Sequence, residues 1–178
     1  KADPQLLVGT FGGNYLSGPY EIDGGVIHTA FPQYLDLTRD LDILSTANFY
    51  SNAENPTGDS VCQAAHESYR LHKKIYLSEN DQRTCLTKIS STRFGTPAGS
   101  LEETLGSMKR NWVGRMTRGA GLWWFDFAQG YYDHPKIITL LHRLQGISQR
   151  LIDEPNPASF GKELTRCAMF YSARSHLY

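Results

Sequence analysis

Short apolar, β-prone runs alternate with amphipathic helical patterns along this chain, and that alternation limits its fold more than any other feature. Leu6–Phe11, closed by Gly12 and Gly13, reads as a buried strand. A second strand, Leu41–Tyr50, ends in the turn-rich Ser51–Pro56. Lys74–Glu79 and Leu122–Phe127 read as the third and fourth. Between the first two lies a weaker helical stretch, Val26–Arg39, interrupted by Pro32. Asp59 or Ser60 can cap a second helix that carries Val61, Ala64, Ala65, Ser68 and Leu71 on one stripe. Ser100 and Glu103 have capping-box spacing, and behind them Leu101, Leu105, Met108, Trp112 and Met116 recur at three and four residues. Gly119-Ala120-Gly121 ends that helix. Asp133 caps the last one, with Pro135 in its first turn and Ile137, Leu140, Leu141, Leu144, Ile147 and Leu151 on its buried side.

Such an order predicts an α/β fold with parallel strands and right-handed crossovers. Long loops follow the first and third strands, while the returns from helix to strand are short. That asymmetry is the pattern of a (β/α)8 TIM barrel, whose βα loops build the site at the carboxyl ends of the strands. A doubly wound sheet is the competitor, but the glycine-rich loop Asn14–Gly25 lacks G-x-G-x-x-G spacing. Four units cannot close eight strands, and 178 residues fall short of the ~250 typical of a barrel. Residues 1–153 are therefore expected to hold about half of one. Pro155 and Pro157 mark a linker, and Arg166–Ser172 reads as the first strand of a following domain, 154–178. Half a barrel exposes two strand edges, which favours a homo-oligomer or pairing with a missing half, and a poorly soluble, silent monomer.

Charges balance at 18 basic against 18 acidic with no long run of either sign, which argues against a nucleic-acid or anionic-membrane partner. No apolar run reaches the ~18 residues of a membrane span, and Lys1-Ala2-Asp3-Pro4 is not a signal peptide. Cys62, Cys85 and Cys167 lie far apart and read as free thiols. Neither they nor the histidines show metal-ligand spacing, so no metal or cofactor is expected.

Chemistry concentrates at the end of the third strand. Alternation turns Ile75, Leu77 and Glu79 to one side, so a carboxylate shares a face with two aliphatic residues at the strand's carboxyl end. Asp81 and Arg83 follow at once and are expected to brace the long loop after the strand, ahead of any direct substrate contact. Asp126 ends the expected adjoining strand, and neighbouring strands lie ~4.8 Å apart. Trp124 shares a face with Leu122 and Asp126, and Trp123 pairs with Phe125 on the other.

Three segments, DILSTANFYSN (42–52), KKIYLSENDQRT (73–84) and SLEETLGSMKRNWVGRMTRGAGLWWFDFAQGYYDHPKII (100–138), resemble the second half of the catalytic barrel in clan A glycoside hydrolases. The nearest likeness is to family 42 β-galactosidases, and GAGLWWFDF followed by YYDHP carries it best. The resemblance spans about Leu6–Asp153 and implies a retaining hydrolase of terminal β-linked sugars, with strands five to eight of the barrel present. It implies Glu79 as nucleophile on the seventh strand, and an attacker ionised at neutral pH needs hydrogen-bond donors, for which Arg83 and, by the resemblance, Tyr50 are the candidates. One tryptophan of the eighth strand would form the sugar-stacking floor, for which Trp124 is the choice. Asp126 would order Arg83 or bind a sugar hydroxyl, and Asn14, Tyr15 and Asn52, from their position, would contact hydroxyls too. The acid/base glutamate would follow an asparagine on a strand preceding Lys1, and no Asn-Glu pair occurs in this chain. Three readings stay open: a partial glycosidase domain, a non-catalytic carbohydrate-binding or scaffold barrel, and a different barrel enzyme using Asp126 and Glu79 as an acid/base pair.

Overall fold

The computed structural model describes residues 6–11, 38–48, 50, 54–60, 64, 66–88, 96–127 and 130–154. The expected alternation is present. Strands β1 (Gly9–Phe11), β2 (Ile43–Thr46), β3 (Ile75–Asn80) and β4 (Gly121–Trp124) form one sheet in the order β1-β2-β3-β4. All three pairings are parallel. Helix α1 (His66–Leu71) lies between β2 and β3, α2 (Leu101–Met116) between β3 and β4, and α3 (Pro135–Ile152) after β4. The protein is thus α/β, with a four-stranded parallel sheet alternating with helices. The strand expected at 166–172, most of the helical stretch 26–39 and the loop 14–25 lie outside the described residues; Thr38–Asp40 form a turn.

Register decides which residues share a side. Leu44 pairs with Tyr76 and Thr46 with Ser78, and this side carries the described helices. Tyr69 of α1 packs on Tyr76 with ring centroids 5.6 Å apart, and Leu44, Ala64 and Ala120 complete a small apolar cluster. The second cluster lies between α2 and α3: Met108, Tyr131, Tyr132, Ile137, Leu140 and Leu144 are buried, with Leu101, Leu105, Trp112, Trp124 and Leu141 against them. The expected apolar stripes of both helices therefore meet each other.

Facing the sheet, α2 buries a different set, Thr104, Ser107, Asn111 and Arg115 beside Met108. The seam between α2 and β3 is polar. Arg115 Nε donates to Ser78 Oγ at 3.0 Å, and Asn111 Nδ2 to Gln82 Oε1 at 2.6 Å. Gln82 Nε2 donates to Ser107 Oγ at 3.0 Å, and the network runs on through Asn80 to Asn48 of the chain beyond β2. Buried polar groups of this kind stay inside only because their partners are present.

Local expectations hold at some ends and shift at others. Ser100 and Glu103 make both halves of the capping box. After α2 the chain reverses through Gly119 at φ 67°, a left-handed conformation that glycine adopts without strain. The first residue capping α3 is His134, whose side chain accepts from the Lys136 amide, and not Asp133. Pro135 at the first helical position makes His134, immediately before it, the cap. Helix α1 is described over His66–Leu71, and Val61 and Ala65 of the expected stripe lie outside the described residues; Ser60 accepts from Arg115 Nη1 at 2.8 Å. Leu6–Phe11 was expected to be buried, yet Leu6, Leu7, Val8 and Phe11 are exposed, because β1 is an edge of the described sheet.

Candidate functional site

The side of the sheet opposite the described helices carries Phe11, Ser45, Leu77 and Gly121 in one row, then Glu79 and Trp123 in the next towards the carboxyl ends. Gly121 lets β4 come in close there: a Cβ at that position would stand 2.9 Å from Leu77 Cδ1. Glu79 is 9% exposed, near the middle of the sheet's carboxyl edge, with Trp123 as its cross-strand neighbour. In parallel α/β sheets this edge is where ligands bind.

Burial, reinforced by the Asp81 carboxylate, pushes Glu79 from its ordinary value of 4.5 up to about 7. Asp81 is itself raised, chiefly by burial, with the Tyr50 hydrogen bond opposing that effect. The Tyr50 hydroxyl donates to Asp81 Oδ2 at 3.1 Å. Burial and the surrounding carboxylates, Asp81 first among them, push Tyr50 well above the usual range of a phenol. Three polar atoms near this edge are buried without a hydrogen-bond partner among the described residues: Asp81 Oδ1, Trp123 Nε1 and Ser45 Oγ. Buried groups in that state are rare and mark places where a bound polar molecule can complete them.

Arg83 was expected to brace the loop after the third strand and was a candidate donor to Glu79. It is engaged with Glu54: Nε lies 3.0 and 2.9 Å from the two carboxylate oxygens, Nη2 reaches Oε2 at 2.6 Å, and the Arg83 amide adds a bond at 2.9 Å. These hydrogen bonds raise the guanidinium above its ordinary value. The pair ties the loop after β3 to the segment after β2. Tyr50, the other expected donor, turns to Asp81. Asp126 accepts from the amides of Gly130 at 2.8 Å and Tyr131 at 3.2 Å, so it orders the turn leading to α3 and not Arg83.

Trp124 stands on the helix-covered side, edge-on to Tyr132 at a centroid distance of 5.8 Å, and so away from Glu79. The tryptophan beside the carboxylate is Trp123, which also packs on Phe125 at 5.4 Å. Alternation separates the two rings but does not say which parity faces the helices; the register with Glu79 does. Asn14, Tyr15 and Asn52 lie outside the described residues. Glu54 and Ser45 were not singled out in the sequence. Glu54 sits in a polar turn 29 positions from Arg83, and only an unmatched cation at Arg83 hinted at such a partner.

Among the described residues no group of His, Cys, Asp and Glu is arranged to hold a metal ion, and no helix is long and apolar enough to cross a membrane. Cys85 is a free, partly exposed thiol. Comparison with family models, curated proteins and solved structures finds no match to this chain.

Proposed function

We propose that this chain is part of the catalytic (β/α)8 barrel of a retaining glycoside hydrolase acting on terminal β-linked sugars, with Glu79 as its nucleophile. The observation that carries this is a buried carboxyl at the carboxyl end of an inner parallel strand, on the side free of described helices and beside Trp123. Parallel strands, helices on one side and a glutamate at that edge agree with the family likeness of the sequence. Trp123 offers an indole face and an Nε1–H to a bound sugar. In the reaction a Glu79 oxygen bonds to the anomeric carbon as the bond to the leaving oxygen breaks. A second carboxyl gives that oxygen a proton, and then takes one from the water that cleaves the glycosyl ester. Asp126 holds the turn before α3 and Asp81 is bonded to Tyr50 through one oxygen; the family likeness assigns that second group to another strand of a complete barrel.

Because attack needs the ionised form, a nucleophile of this kind gains activity as pH rises through about 7. The same raised pKa favours a second assignment, Glu79 as proton donor, for which activity falls over that range. A 2-deoxy-2-fluoro-β-galactoside with a dinitrophenolate leaving group separates them, since that leaving group needs no acid. The expected result, in a barrel completed by its missing half, is one fluorosugar on the peptide bearing Glu79 and none in Glu79→Gln. An adduct on Asp126, or labelling that survives in Glu79→Gln, would overturn the nucleophile assignment. Sugar binding without any adduct would identify a carbohydrate-binding barrel instead.

A further inference from the structure

We infer that Ser45 is a specificity-determining residue whose hydroxyl reads one hydroxyl of the bound sugar, a row deeper in the sheet than Glu79. This rests on the sugar-binding reading of the same edge, and it names a contact that selects the sugar. Hydroxyls on the two sides of the sheet differ. On the helix-covered side, Thr46 Oγ1 and the Tyr76 hydroxyl bond each other at 2.7 Å, and Ser78 Oγ accepts from Arg115 Nε at 3.0 Å. Ser45, one residue before Thr46, faces the other way. It is 8% exposed, and its Oγ is buried with no hydrogen-bond partner among the described residues. A buried hydroxyl in that state is costly to the fold until a bound molecule completes it.

Strand register places that hydroxyl beside the candidate nucleophile. Ser45 on β2 pairs with Leu77 on β3, two residues before Glu79, and Glu79 pairs with Trp123 on β4. All four lie within strands, so they share one side of the sheet. Ser45 therefore stands one strand across from Glu79, about 4.8 Å, and one row back, about 6.6 Å. A pyranose ring with its hydroxyls covers such a step: with the anomeric carbon at Glu79, the far side of the ring reaches the row of Ser45. Leu77, which shares that row, leans over β4, since its Cδ1 stands 2.9 Å from where a Cβ on Gly121 would be. Trp123 Nε1, also buried and unpartnered among the described residues, offers a donor from β4. Glu79 is thus flanked on both neighbouring strands by groups ready to bond a polyhydroxylated ligand. Ser45 is the versatile one, because its hydroxyl both donates and accepts.

The test is binding of methyl β-galactoside and each of its monodeoxy analogues to the barrel completed by its missing half, in the parent, Ser45→Ala and Ser45→Thr. Binding is followed by the indole Nε1–H signal of Trp123, assigned by its loss in Trp123→Phe. Ser45→Ala is expected to bind the galactoside about tenfold more weakly, and Ser45→Thr, which keeps the hydroxyl, to recover most of that loss. One deoxy analogue should bind the parent as weakly and lose nothing more in Ser45→Ala, which identifies the hydroxyl that is read. Without sugar, Ser45→Ala should melt no lower than the parent, since no bond within the protein is removed. Unchanged affinity in Ser45→Ala, an equal loss towards every analogue, or a lower melting temperature without sugar would overturn the inference. Fluorosugar labelling separates the two claims. A Ser45 effect on binding with no label on Glu79 supports the contact and removes the nucleophile assignment. Labelling of Glu79 with unchanged binding in Ser45→Ala does the reverse, and a folded barrel that binds no galactoside overturns both.

Discussion

Glu79 combines burial with a raised pKa, and the sign of its effect on stability follows. A carboxyl whose folded value lies above its unfolded value favours folding in the neutral form. Its contribution is fully present below the ordinary 4.5 and is lost as pH rises through about 7. Glu79→Gln removes the charge and keeps the shape. Urea unfolding should find it more stable than the parent by about 1–3 kcal/mol at pH 8, and nearly equal at pH 4. Equal stability at both pH values would show that Glu79 is not desolvated. The ion pair of Arg83 and Glu54 has the opposite logic. Both side chains are buried, Glu54 to 1% exposure, and removing one charge strands the other. Glu54→Ala is expected to cost about 3–5 kcal/mol by the same unfolding measurement. A cost below about 1 kcal/mol would mean that Arg83 finds water or another partner at once.

Helix α2 is where local and tertiary demands can be separated. Its capping box is a local device, so Ser100→Ala should cost about 1 kcal/mol wherever the helix packs. Its polar seam is tertiary. Asn111→Leu is nearly isosteric, but it removes a donor from Gln82 Oε1 in a buried network. A loss of about 1–3 kcal/mol is expected there, against less than about 0.5 kcal/mol at the exposed Glu102 of the same helix. Thermal unfolding of the two variants side by side checks the contrast. If Asn111→Leu matched the surface control, the seam would be open to water.

Across the described molecule, β1 and β4 each pair on one side only, and the side of the sheet away from the helices exposes Phe11, Ile75 and Phe125. Unpaired parallel edges next to apolar surface promote association between chains. Sedimentation of the 178-residue chain should therefore show association that grows with concentration and weakens in Phe11→Lys. A monomer at every concentration would mean that the edges are covered in solution.

Strand–helix alternation, the capping box of α2 and the carboxylate at the end of β3 could all be read from residue order, because each depends on neighbours within about four positions. Two-residue periodicity also separated Trp123 from Trp124, and Glu79 from Tyr76 and Ser78. It could not say which parity faces the helices, since both sides of a parallel strand can be apolar. The register of β3 with β4 settled that, and it brought Trp123 to Glu79. The partners of Arg83, Tyr50 and Asp126 were also beyond local reading. Arg83 and Tyr50 bond across 29 and 31 positions, a separation at which residue order carries no preference for one carboxylate over another. Asp126 holds amides only four and five positions on, but through the loop's own turn, which composition did not foretell. The polar character of the α2 seam was hidden for a related reason. Ser107 and Asn111 look like surface residues until Gln82 meets them, and only the packed sheet supplies the partners that make their burial favourable.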